Sequence, residues 1–109
     1  MRNWFSSLII LFIVVACEDT DSRLEQFQNI SKGDVYVFFD GEFYIPQRVV
    51  EVHEHQVEFH SYQFNFIKAC PEESQIIDNE FDTNFVLSYE DVEIENLIST
   101  GKIVRIYSK

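Results

Sequence analysis

The chain has 109 residues, with eight lysines and arginines against nineteen aspartates and glutamates, a formal charge of −11. That balance excludes a nucleic-acid-binding face, which needs a basic patch, and it disfavours direct adhesion to anionic lipid headgroups; basic proteins, cationic peptides and divalent metals are the partners it fits. The length allows one small domain, and eleven Phe and five Tyr supply apolar area for a core.

The first element is the apolar run from Leu8 to Ala16 in LIILFIVVAC, preceded by Arg2 and free of acids until Glu18. A membrane-spanning helix needs roughly 20 apolar residues. This run, about a dozen residues even when counted from Trp4, has the length and flanks of a signal-peptide core. IVVAC resembles the lipobox of bacterial lipoproteins, in which a small residue, here Ala16, precedes the cysteine that is acylated, here Cys17. The resemblance implies a lipoprotein signal peptide over residues 1–16, a palmitate-type anchor on Cys17, and a mature chain held in the cell envelope through its N-terminal lipid. Glu18, Asp19 and Asp21 resemble the acidic cluster that, in some Gram-negative groups, sends lipoproteins to the outer surface. The outer membrane is therefore the expected location. Each buried acyl methylene contributes about 0.8 kcal/mol and one chain binds only marginally; the two or three chains implied here give long-lived retention. Removing residues 1–16 takes away Arg2 and no acid, which leaves seven bases against nineteen acids, or −12.

Next come the lipidated cysteine and an acidic tether, residues 17–31, with at most a helical turn in SRLEQFQNI. Residues 32–109 are expected to fold without them. A first strand runs from Asp34 to Phe39, and Asp40-Gly41 signals a hairpin whose two central residues take positive φ. The second strand runs from Phe43 to His53, where Pro46 calls for an edge position or a bulge. The third runs from Gln56 to Phe64. Alternation places Val50, Val52, Val57 and Phe59 on an apolar face, and Glu51, His53, Glu58 and His60 on a wet one. KACPEESQIIDNEFDTN, residues 68–84, reads as a loop, and FVLS as a short fourth strand. SYEDVEIENLISTG reads as a helix near residues 89–100, with Ser88 as N-cap and Gly101 as stop. Val92, Leu97 and Ile98 are its inward residues, and a strand through VEIENL is the competing reading. KIVRIYS closes the chain as a strand with Ile103 or Val104 inward. Once Cys17 is lipidated, Cys70 is the single thiol and has no internal partner, so the core must stabilise the fold alone.

The expected fold class is mainly β (β-rich α+β): a small SH3-like antiparallel barrel or rolled sheet with one short helix. KGDVYVFFDGEFYIPQRVVEVHEHQVEFHSY resembles the opening of SH3-like barrels of the Tudor and chromo-barrel kind, with Gly-Asp, an alternating strand, an acidic-Gly turn, an aromatic pair and a Val-rich strand. It implies an aromatic face, Phe39, Tyr44 and Tyr62, able to hold a methylated cation by cation–π attraction. The acidic-aromatic-Gly-Asn run of those domains is replaced here by HSYQFNF, and core packing is the competing role of the three rings.

His53 and His60, beside Glu51 and Glu58, are the weak candidates for a metal site. A solvated face is the competing reading, and no metal or other cofactor is expected. The acids of residues 72–82 lack the pattern of a calcium loop. Cys70 has no His near it in sequence and there is no Gly-rich phosphate loop, so no catalytic residue is assigned and the chain is read as a non-enzyme. The expected function is that of a lipid-anchored extracytoplasmic protein-interaction module, acting through a β-edge or the aromatic face. The alternative is an acidic immunity-type protein that binds and neutralises a toxin. KGDVYVFF ahead of a small barrel resembles the lead of some bacterial immunity families, and an acidic inhibitor gains association rate by steering toward a basic target.

Overall fold

The alternation of apolar and polar residues from Val35 to Ser61 folds into a meander of β1 (Val35–Phe39), β2 (Tyr44–Val52) and β3 (Gln56–Ser61). In the computed structural model, which describes residues 19–109, β4 (Leu87–Glu90) pairs with β3 and β5 (Ile103–Tyr107) pairs with β1. The five strands form one antiparallel sheet in the order β4-β3-β2-β1-β5. Two helices, α1 (Thr20–Gln28) and α2 (Asp91–Ser99), cover one face. The fold is mainly β, as expected, but the sheet is open and not a closed barrel. Its two edges, β4 and β5, are joined through α2, which crosses the sheet.

The segment expected as a tether is part of the domain over residues 20–28. Asp21 places a carboxylate in the first turn of α1, where it favours the helix dipole. Phe27 enters the core edge-on to Tyr36, with ring centroids 6.4 Å apart. Leu24 and Ile30 pack beside it. Arg23, also buried, reaches across to the carbonyl of Ile98 at 3.5 Å, so a cation sits at the C-terminal end of α2. Gln26 Nε2 donates to the carbonyl of Ile106 on β5 at 3.2 Å.

In α2, Ile94 and Ile98 are the buried residues and Leu97 packs beside them, whereas Val92 faces solvent. The N-cap is Glu90, two residues after the expected Ser88, and its N–H donates to Glu93 Oε1; Ser88 belongs to β4. The helix stops as expected at Gly101, whose φ is +77°. Gly101 N–H donates to Ile98 and Lys102 N–H to Leu97, a pattern that needs the left-handed conformation glycine allows.

Four details differ from the expected hairpin turn, edge position and strict alternation. Asp40 keeps negative φ and only Gly41 is positive, so the β1–β2 link is a four-residue loop and not the expected two-residue turn. The Asp40 carboxylate accepts the N–H groups of Phe43 (2.8 Å) and Glu42 (2.9 Å), which hold it below the usual carboxylate range. Pro46 lies in β2, an interior strand, and not at an edge. Tyr62 N–H donates to its carbonyl, so its backbone polar groups point toward β3 and its missing N–H costs no bond to β1. The bulge falls instead at Val50: Val49 pairs with Phe59, and the next pair is Glu51 with Glu58. Val49, Val57 and Phe59 therefore face the helices, as does Val52 opposite Val57, while Val50 is displaced. A second shift in β5 lets both Ile103 and Ile106 point inward.

Tyr36 is wholly buried in this core, and its hydroxyl has no hydrogen-bond partner among the described residues. Burial, and secondarily the nearby Asp34 charge, push its pKa well above the ordinary tyrosine value. Below about pH 10 both folded and unfolded chains keep the proton; above it only the unfolded chain ionises, so this group removes about 1.4 kcal/mol of stability per pH unit. Tyr36→Phe should be as stable as the parent at pH 7, since the lost hydroxyl is unpaired. It should lose less stability between pH 10 and 11 in urea titrations, and equal slopes would refute the assignment.

Candidate interaction surfaces

The face of the sheet away from the helices is not uniformly wet, because the loop of residues 68–84 folds over part of it. Tyr107 Oη donates to the Pro71 carbonyl at 2.7 Å. Arg48 donates to the Asp78 carbonyl at 3.2 Å, and its guanidinium lies 4.4 Å from the ring centre of Phe81. Phe81 packs edge-on against Tyr62 at 5.0 Å, and the Tyr62 hydroxyl accepts the N–H of Ile77 at 3.0 Å. Single-turn 3₁₀ segments at Glu73–Gln75 and Asp78–Glu80 order the loop between these contacts.

The three aromatic candidates fall into two groups. Phe39 and Tyr44 are cross-strand partners whose rings stack on each other at 4.4 Å. Tyr62 belongs to a separate cluster with Phe66, Phe64 and Phe81. The cation over this cluster is the protein's own Arg48, which sits on Phe81. The histidine candidates are also apart. His60 pairs with Arg48 across the strands, whereas His53 lies past the Val52–Val57 pair, with Nε2 3.5 Å from Glu58 Oε2. At about 3.3 Å per residue, several ladder steps separate them. Among the described residues no group of three His, Cys, Asp or Glu is placed to hold a metal. Cys70 is half-buried, with Sγ 3.8 Å from the Pro71 carbonyl. Cys17 lies outside the described residues.

Sequence reasoning passed over two features. Asp34 is buried and ties the chain end to the β1 entry, accepting the N–H of Ser31 at 3.0 Å and of Lys109 at 2.9 Å. Beside it, a cleft of about 230 Å³ runs under the loop between Arg48, Asp78, Tyr107 and Lys109. A neighbouring cleft of about 330 Å³ adds Lys32 and His60. These bases are partly answered in place, Arg48 by Asp78 (3.7 Å) and Lys32 by Glu51 (3.5 Å).

The second feature is the run Phe85-Val86-Leu87, exposed at 70%, 52% and 37%, which leads into edge strand β4. Three consecutive apolar residues without alternation are the signal that could have marked it. Its chain neighbourhood is wholly acidic: residues 69–101 hold nine Asp and Glu, from Glu72 to Glu95, and no Lys, Arg or His. No protein-family model, curated protein or solved structure matches this chain. Among the described residues, no helix is long and apolar enough to cross a membrane.

Proposed function

We propose that the chain is a lipid-anchored, extracytoplasmic protein-interaction module, held in the cell envelope at the outer membrane through acylated Cys17 and acting by contact rather than by catalysis. The observation that carries the interaction reading is the solvent-exposed Phe85-Val86-Leu87 run beside an open strand edge. An apolar run of that kind on a small acidic domain marks a surface meant to be covered. The anchor reading rests on the apolar leader, Ala16 and Cys17.

The structure changes what such an anchor would do. Helix α1 begins at Thr20, so only Glu18 and Asp19 separate it from the lipidated residue. Three chain steps reach at most about 11 Å. The domain would be held against the bilayer surface, its position set by the start of α1, and not displayed on a long stalk.

Metabolic labelling with an alkyne analogue of palmitate tests the anchor. The parent chain should be tagged and Cys17→Ser should not, and equal labelling of both would end the lipoprotein reading. Affinity capture from intact cells with the anchored, tagged chain tests the interaction role. Toxin neutralisation is the second reading, favoured by the cation-free acidic segment of residues 69–101. A basic toxin recovered in the capture would select it.

A further inference from the structure

We propose that the open edge of β4 is a strand-addition site for an extended segment of a partner protein in which apolar and basic residues alternate. This rests on the interaction-module reading and names the surface and the chemistry of the partner.

The two sheet edges are not equivalent. On β5, Gln26 from α1 donates to the Ile106 carbonyl, so a side chain already occupies part of that edge. On β4, Leu87 and Tyr89 oppose Phe59 and Val57 of β3. His53 N–H donates to Gln56 O and Tyr62 N–H donates to Pro46 O. Gln56, Glu58, His60 and Tyr62 therefore turn their backbone groups toward β2, and Val57 and Phe59 turn theirs toward β4. Leu87 and Tyr89 answer them, which leaves the N–H and C=O of Ser88 on the open side. Among the described residues no backbone or side-chain group meets them, and the contact from Gln56 goes to the Ser88 hydroxyl. An unpaired edge of this kind is a template for another strand.

Charge selects the occupant. Among the described residues the carboxylates at this edge have histidines but no Lys or Arg beside them, His53 at Glu58 and His55 at Asp91. Glu58 stands opposite Ser88, and Glu90, Asp91 and Glu93 follow directly. A second copy would bring the same acids to this edge, and like charges directly opposite across a sheet are destabilising. A basic strand would neutralise them while its alternate apolar residues, on the opposite face, covered Leu87.

The probe is an acetylated, amidated ten-residue peptide of alternating valine and lysine, titrated into the full-length protein in detergent and followed by amide chemical shifts. The shifts should centre on residues 85–89, with new exchange protection at Ser88 N–H. N-methylation of alternate peptide bonds, which removes strand donors but keeps the charge, should weaken binding at least tenfold. Replacing lysine by glutamate should do the same. Ser88→Pro deletes the outward N–H without touching the ladder to β3, so it should lose binding while its melting curve stays cooperative. Shifts centred on the Arg48–Lys109 clefts, or equal binding by the N-methylated peptide, would overturn the β4 proposal and leave an interaction module with another surface. A dimer in solution that Ser88→Pro dissolves would replace the basic partner by a second copy. If no peptide binds and the anchored chain captures no partner from cells, the module reading falls with the proposal.

Discussion

A chain that begins at Asn29 is expected to lose most of its stability, although its strands and α2 are all present. Helix α1 supplies Phe27, 8% exposed, to the same apolar cluster as Tyr36, Ile94 and Ile106. Removing a buried phenylalanine side chain costs about 3–5 kcal/mol, set against a total of roughly 5–15 kcal/mol for a domain. The truncation also leaves the Ile98 and Ile106 carbonyls without the Arg23 and Gln26 donors. Phe27→Ala in the full-length protein should lower the urea midpoint by an amount equivalent to at least about 3 kcal/mol. Glu25→Ala, on the exposed side of α1, should change stability by less than about 0.5 kcal/mol. If the truncated chain melted with the same midpoint as the full-length protein, α1 would be an accessory and the tether reading would return.

The second large effect distinguishes two adjacent valines. Val49 is 1% exposed and opposes Phe59 beneath the helices, so Val49→Asp would bury an unpaired carboxylate, which costs several kcal/mol or unfolds the chain. Val50 sits at the bulge and lines the cleft that holds Lys32, Arg48, His60 and Lys109. A carboxylate there finds water and nearby cations, and Val50→Asp should cost about 1 kcal/mol or less. Circular dichroism melts of the two variants decide the register. A folded Val49→Asp with an unfolded Val50→Asp would mean that the bulge is elsewhere and the faces of this half of β2 are exchanged.

These variants also mark where local pattern reading stops. Period-two alternation places Val57 and Phe59 correctly, because the extra residue of the bulge lies on β2 and β3 runs through it without an insertion. In β2 the same alternation selects Val50, since a Val-Val pair hides which valine is the extra residue. A bulge adds one residue without changing composition, and only the pairing partner reveals it. Helix α1 is concealed for a related reason. TDSRLEQFQ shows two large apolar residues among polar ones, too weak a stripe to announce a core helix, and short helices are stabilised chiefly by tertiary packing. The aromatic residues are ambiguous in a third way. Phe39, Tyr44 and Tyr62 are compatible with a ligand cage or with packing, and the choice depends on what the loop of residues 68–84 brings over the sheet.

The sequence by itself determined the mainly antiparallel β character, the strand that carries Val57 and Phe59, the helix ended by Gly101, and the strong net acidity. Each is a property of local periodicity, of one backbone conformation, or of summed charge. The open sheet, the docking of α1, the bulge at Val50, the separation of His53 from His60 and the exposure of Phe85-Val86-Leu87 were decided only by tertiary structure. They depend on which distant segments meet: α2 packs on the sheet between β4 and β5, Phe27 finds Tyr36, and the loop of residues 68–84 covers the outer face over β2 and β5 while β4 stays bare.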